Sequence, residues 1–221
     1  MSISSALRRH KLVKTTQLAC YRLAQRLMVL DVTHLVMLDA NDALAPVVYD
    51  DVNSLSQDGT NGLEGSLADR MSSRGDLCFA ARANNRLARY VWIAFDQVDP
   101  ESNRGASWLT GVGVSFPEST CFMYKGFVHR EFRGRQIYGR LMSRALTALA
   151  GRKITQMLST AEWTNFSALN SCYRIGFRDL GLIWRFGSAR RMYTVTPRSA
   201  RAMGIRFAKR ACDASRSSTA G

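Results

Sequence analysis

One stretch limits the possible fold more than any other. Between Cys121 and Leu149 the hydrophobic rhythm of the chain changes across a short turn rich in Arg and Gly. Cys121 to His129 (CFMYKGFVH) is rich in aromatic residues and predicts a strand. From Ile137 the apolar residues return with a period near 3.6, so that Ile137, Leu141, Met142, Ala145, Ala148 and Leu149 share one face. That pattern predicts an amphipathic helix ending near Gly151. The junction is Val128-His129-Arg130-Glu131-Phe132-Arg133-Gly134-Arg135-Gln136-Ile137-Tyr138-Gly139. Where a strand runs into a helix, several backbone N–H groups lack intrahelical partners and the helix dipole adds partial positive charge. Such a junction suits an anion, a pyrophosphate in particular, and Arg133 and Arg135 would add side-chain charge. The alternative is an ordinary turn with exposed arginines.

The flanking segments extend the alternation. Ile154–Thr160 predicts a strand, Asn165–Ile175 a helix stopped by Gly176, and Phe177–Phe186 and Arg191–Thr196 closing strands. Upstream, Leu77–Arg82 and Leu87–Phe95 predict a hairpin with Asn84-Asn85 as its turn. Trp108–Phe116 predicts a further strand, Gly62–Ser72 a short helix and Thr33–Leu38 a first strand. Residues 41–61 and 96–106 read as loops. Residues 5–29 predict a basic amphipathic helix, with Leu12, Leu18, Tyr21, Leu23, Leu27 and Leu30 supplying its apolar face. The order of elements places the chain in the α/β (α+β) class. The expected organisation is a helix over 1–30, a folded domain over 31–196 and a flexible basic tail over 197–221.

Composition narrows the function classes. With 46% hydrophobic and 22% charged residues among 221, the chain suits a packed core and excludes disordered or collagen-like classes. The net charge of +14 points toward nucleic acid until it is mapped. Residues 1–30 carry six Arg or Lys and no acid, and residues 190–221 carry eight against Asp213, leaving 31–189 at +1. Basic arms favour polyanions or anionic membrane surfaces, and the alternative is a solvated face and tail. Five widely spaced cysteines without a Cys-x-x-Cys argue against a zinc site or disulfide framework; no metal and a cytoplasmic location are expected. The acid-free N-terminus leaves a mitochondrial presequence as a second reading.

Two motifs together carry a resemblance. The junction is similar to a Val-His-Pro-x-Tyr/Phe-Arg-Gly-x-Gly-Ile/Leu pattern, and Asn165-Phe-Ser-Ala-Leu-Asn-Ser-Cys-Tyr-Arg-Ile-Gly176-Phe177 is similar to an Asn-x-x-Ala-Leu…Lys/Arg-x-Gly-Phe pattern. In this order and spacing, over roughly residues 31–195, the chain resembles the GNAT superfamily of acyl-CoA-dependent N-acetyltransferases. The resemblance implies a mostly antiparallel mixed sheet with one splayed parallel strand pair, flanked by helices, and acetyl-CoA held in the wedge. By the match, the backbone of Phe127 and Val128 holds the acetyl carbonyl and the start of the pantetheine. The turn Arg133, Gly134, Arg135, Gln136, Ile137, Tyr138 and Gly139 wraps the pyrophosphate, and Asn165 bonds the pantetheine from the other side. A small-molecule amine, of amino-sugar or amino-acid type, attacks the thioester directly.

The chain departs from the pattern in four places. Gln136 and Tyr138 stand where Gly is usual, Arg130 where Pro is common, and Cys172 where a Tyr often protonates the leaving thiolate. Tyr173 is adjacent, and neighbouring helical residues point about 100° apart, so only one of the two can face the sulfur. Tyr173, with a phenol pKa of about 10, is the expected acid and Cys172 the alternative. No base is evident: Glu118 is the nearest upstream acid, and His129 belongs to the loop before the turn. Loops 41–61 and 96–107, with Tyr90, Trp92, Tyr124 and Lys125, are expected to shape the acceptor cleft. Other readings are a GNAT fold that binds without catalysis, and a polyanion or membrane-surface binder working through the arms.

Overall fold

The computed structural model describes residues 21–32, 65–83, 86–104, 111–133, 137–149, 151–188 and 191–208. The strands are β1 (Tyr21–Asp31), β2 (Leu77–Ala83), β3 (Arg86–Ala94), β4 (Gln97–Val98), β5 (Val114–Ser115), β6 (Thr120–Val128), β7 (Gln156–Glu162), β8 (Arg178–Ser188), β9 (Arg191–Val195) and β10 (Arg206–Phe207). The helices are α1 (Gly65–Ser73), α2 (Ile137–Leu149), α3 (Phe166–Arg174) and α4 (Arg198–Ala202). Seven strands form one sheet in the order β2-β3-β6-β7-β1-β8-β9, and β10-β5-β4 form a small second one. Neighbours in the large sheet run antiparallel except β6 and β7, which run parallel. This is the mixed, mostly antiparallel architecture the motifs imply.

The predicted hairpin, β6, α2, β7 and α3 fall where the sequence places them, and α3 shows why. The Asn165 side chain accepts from the Ala168 N–H at 3.2 Å and satisfies one orphan donor of the first turn. At the other end Gly176 takes φ +103°, and the Phe177 N–H bonds the Cys172 carbonyl at 3.1 Å, closing the last turn.

The N-terminal expectation needs correction. Tyr21–Asp31 is a strand in the middle of the sheet, paired with β7 on one side and β8 on the other. The reason is the run Leu27-Met28-Val29-Leu30, whose members are all 0% exposed. Leu27 and Val29 pack on one sheet face and Met28 and Leu30 on the other. A single amphipathic helix face cannot bury four consecutive residues, whereas a strand covered on both faces does. The rest of the predicted helix, the strand at 33–38 and the loop at 41–61 lie outside the described residues.

The tail also needs correction. Residues 198–207 form α4 and β10; Ala200 is 0% and Ile205 1% exposed, and both join the core. The Ser199 hydroxyl donates to the Leu180 carbonyl at 2.6 Å, and β10 pairs with β5. The folded unit therefore reaches beyond 31–196 on both sides, and parts of both basic arms are built into it. Of the strand predicted over 108–116, only Val114–Ser115 is a strand among the described residues.

Two hydrophobic layers cover the sheet. One face carries α1 and α4 over Trp92, Phe122, Leu27 and Ile183. The other carries α2 and α3, packing Leu141, Met142, Ala145, Leu169 and Cys172 on Val91, Ile93, Cys121, Met123 and Met157. No helix among the described residues is long and apolar enough to cross a membrane.

Candidate functional site

The parallel pair β6–β7 does not stay paired. Its register runs from Thr120 opposite Gln156 to Met123 opposite Ser159, over four residue pairs. Beyond these, β6 continues to Val128 and β7 to Glu162 without pairing to each other. A bulge marks the point of divergence. Tyr124 pairs with Trp92 and Phe127 with Tyr90, so Lys125 and Gly126 together oppose Val91 alone. Lys125 takes φ +44°, alone among the described non-glycine residues in having positive φ. A bulge bends and twists its strand, and here it accompanies the parting of β6 from β7. Backbone groups that would pair in a closed sheet are left facing a wedge.

The helix α2 begins just past the end of β6. Val128 pairs with Arg89, and the His129 N–H bonds the Ala88 carbonyl at 2.9 Å. A single 3₁₀ turn over Arg130–Phe132 follows, then exposed Arg133. Gly134, Arg135 and Gln136 lie outside the described residues. Ile137 is the first residue of α2, and Gly139 is buried within it. The N-terminus of a 13-residue helix, the end at which N–H groups lack intrahelical partners and the dipole is positive, thus follows the strand that leaves the sheet. Phe127 stacks on Tyr90 with centroids 5.6 Å apart, and His129 packs edge-on against Phe127 and Phe132.

Beside the wedge, on the α2–α3 face, lies a buried polar cluster. The Tyr138 hydroxyl donates to the Met123 sulfur at 3.1 Å and lies 3.4 Å from the Cys172 sulfur. The Arg89 guanidinium sits 4.0 Å above the Tyr138 ring, a cation–π arrangement. Its Nε is buried without a hydrogen-bond partner. Burial lowers the Arg89 pKa to about 10. Burial raises the Cys172 thiol, against the pull of Tyr138 and Arg89, and raises the Tyr138 phenol well above its ordinary value.

Of the two expected acids, Cys172 faces inward to this cluster, while Tyr173 is 40% exposed on the outside of α3. Burial, then nearby Asp179, raises its phenol pKa, with Arg26 of the Arg26–Asp179 ion pair opposing. Asn165, exposed at the start of α3, stands beyond the end of β7, across the divergence from Phe127 and Val128.

The opposite face differs from expectation. Tyr90 (1% exposed) and Trp92 (0%) are core residues and line no cleft. Their alternation on β3 turns them onto the layer beneath α1. Tyr124 instead enters a polar network that the sequence did not signal. Its hydroxyl donates to buried Asp76, and Arg74 donates to Asp76 at 2.7 Å and to the Tyr124 oxygen at 3.1 Å. Arg74 also bonds Asp99, whose carboxylate accepts from the Ser102 N–H at 2.8 Å and hydroxyl at 2.7 Å. Burial raises the Asp76 pKa despite the hydrogen bonds from Tyr124 and Arg74. At Asp99 burial acts in the same direction, but Ser102 and Arg74 outweigh it and hold the carboxyl below its ordinary value. Lys125 reaches the Arg104 carbonyl at 3.1 Å.

No protein-family model and no curated protein matches this chain. Solved structures do. A putative acetyltransferase of the GNAT family from Novosphingobium aromaticivorans superposes with a TM-score of 0.52 at 15% identity, over 77% of this chain and 68% of that one. A GNAT-family acetyltransferase from Colwellia psychrerythraea gives 0.54 at 13%, over 80% and 60%. A conserved protein of unknown function from Staphylococcus epidermidis gives 0.54 at 12%, over 79% and 65%. This chain thus spans less than two thirds of the last two. At such identities the likeness is one of architecture. The chain has the GNAT fold, with a parallel strand pair that parts after four residue pairs.

Proposed function

We propose that this protein transfers an acetyl group from acetyl-CoA to a primary amine of a small molecule, of amino-sugar or amino-acid type, by direct attack. The observation that carries the reading is the parting of β6 and β7 after Met123 and Ser159, on the strand that leads through the Arg130–Phe132 turn toward α2. Unpaired strand backbone suits the amide groups of a pantetheine arm, and a helix N-terminus suits a diphosphate. The donor set therefore fits acetyl-CoA, which would supply the thioester.

In this reading the backbone of Phe127 and Val128 binds on the β6 side and Asn165 on the β7 side. Arg133 and the turn through Gly134, Arg135, Gln136, Ile137, Tyr138 and Gly139 meet the diphosphate. The chain's work is to position both reactants and polarise the carbonyl. Cys172, facing inward, supports a place beside the sulfur better than Tyr173, which faces out.

Calorimetry with acetyl-CoA, followed by thiol release across a panel of amino sugars and amino acids, tests the proposal. Binding with thiol release for at least one amine is expected. No binding at millimolar acetyl-CoA overturns it. Binding without thiol release from any amine turns the reading toward a protein that binds CoA without catalysis.

A further inference from the structure

We propose that the exposed aromatic face of β8 and β9 is the contact through which two copies of this chain pair about a two-fold axis. The proposal rests on no part of the acetyl-CoA reading. Alternation along β8 turns Ile183 onto the layer beneath α1 and α4, which leaves Trp184 and Phe186 on the face that carries α2 and α3. Among the described residues, the layer packed under α2 and α3 takes none from β8 or β9. Trp184 is accordingly 46% exposed and Phe186 43%. On β9, the outer strand of the described sheet, Val195 pairs with Trp184 and Tyr193 with Phe186, so all four share this face. Tyr193 is 44% exposed, and its ring stacks on Phe186 with centroids 5.8 Å apart. Trp163, 51% exposed, extends the row across the sheet: its N–H bonds the Ala24 carbonyl at 3.2 Å, and Ala24 pairs with Trp184.

Area and charge both point to a second copy. At about 150–250 Å² per aromatic side chain, four half-exposed rings leave on the order of 400 Å² of apolar surface on each copy. With Leu182 beside them and Val195 at the rim, that approaches the apolar share, a little over half, of the roughly 800 Å² each partner buries in a stable interface of standard size. The rings are held by strand pairing and stacking, so little side-chain freedom is lost on contact. A two-fold contact sets a surface against itself and therefore excludes a face of one charge. The row Trp163, Ala24, Trp184, Val195 holds no charge, and Arg26 on the same face is ion-paired with Asp179. Arg22 and Arg191 hold register positions at the margin, opposite Phe186 and Ser188. A polyanion or an anionic membrane would call for cations set among the rings; a neutral aromatic face suits its own copy.

Sedimentation equilibrium of the full chain over a concentration series tests the proposal. The wild type is expected to reach twice its 24.7 kDa mass. Phe186→Glu places an unpaired carboxylate within the contact and is expected to weaken pairing at least about 100-fold. Trp184→Glu is the second variant, and circular dichroism confirms that each is folded; both side chains are about half exposed in the single chain, so a charge is tolerated there. Phe186→Leu keeps the face apolar and should still pair. Arg201→Glu, exposed on α4 across the sheet, should pair like the wild type. Raising the salt from about 0.1 to 0.5 M should leave pairing as tight or tighter, because the contact is apolar and the two copies carry like net charge. A wild-type mass of one chain at about 100 μM overturns the proposal. A paired mass that survives in folded Phe186→Glu or Trp184→Glu overturns the choice of face. Loss of pairing in Arg201→Glu, or in high salt, overturns the apolar account of it.

Discussion

Replacing Ile205 by Ala tests whether the C-terminal segment is part of the fold or a tail. Ile205 is 1% exposed and packs into the layer beneath α1 and α4. Ile→Ala removes three carbons, worth roughly 2.5 kcal/mol of transfer free energy at about 0.8 per methylene. Incomplete collapse of the space left behind brings the expected loss to about 3–4 kcal/mol, within the usual range for such truncations. Against a total stability of about 5–15 kcal/mol, that is a large share. Urea unfolding followed by tryptophan fluorescence should show the midpoint falling with little change in slope. In a thermal scan the loss corresponds to about 6–16 °C for a chain of this size. Val195→Ala is the control, since Val195 is 51% exposed and its loss should cost under about 0.5 kcal/mol. If Ile205→Ala behaves like that control, residues 198–207 are not docked and the folded unit ends near Thr196.

Tyr124→Phe removes the phenol that donates to buried Asp76. It should cost about 1–3 kcal/mol in urea unfolding, and a loss under about 0.5 kcal/mol would show the network to be energetically idle. The folded-state pKa of Asp99 lies below its unfolded value. Its contribution is therefore present above the unfolded value near 4 and lost as pH falls through the folded one. The stability gap between wild type and Asp99→Asn should narrow on acidification from about pH 6 to below about pH 3, and a constant gap would refute the shift. Burial pushes the Cys121 thiol up to about 12 and raises Cys78 and Cys172 as well. Native alkylation at about pH 8, read by peptide mass spectrometry, should spare all three until urea is added; rapid native labelling of any one contradicts its burial. Gly181 takes φ +118°, and a Cβ there would lie 3.1 Å from Pro197 carbons. Gly181→Ala should therefore cost at least about 1 kcal/mol, and an unchanged unfolding midpoint would refute the strain.

Elements whose signals are local were legible from the residues. α3 is an example: its start, Asn165, and its stop, Gly176, act through hydrogen bonds to backbone within a few positions. The strand–turn–helix junction was legible for the same reason. β1 was not, because Leu27-Met28-Val29-Leu30 suits a helix or a doubly covered strand equally until the neighbours are known. The candidate site divided likewise. The second motif marked Asn165 as the start of α3, while the inward turn of Cys172 rather than Tyr173 depended on how α3 rolls against α2. Arg74, Asp76, Asp99 and Tyr124 carried no signal, since each is an unremarkable residue until the turn after α1 meets β6.

By itself, the order of residues determined that strands and helices alternate and that a strand runs into a basic turn and a helix. These properties depend on period, caps and glycines, which act over one or two turns of chain. Tertiary structure alone decided that β1 lies between β7 and β8, that β6 leaves β7 after four pairs, and that Tyr138 meets Cys172. Those outcomes depend on contacts between segments far apart in sequence, where burial on both faces outweighs local preference.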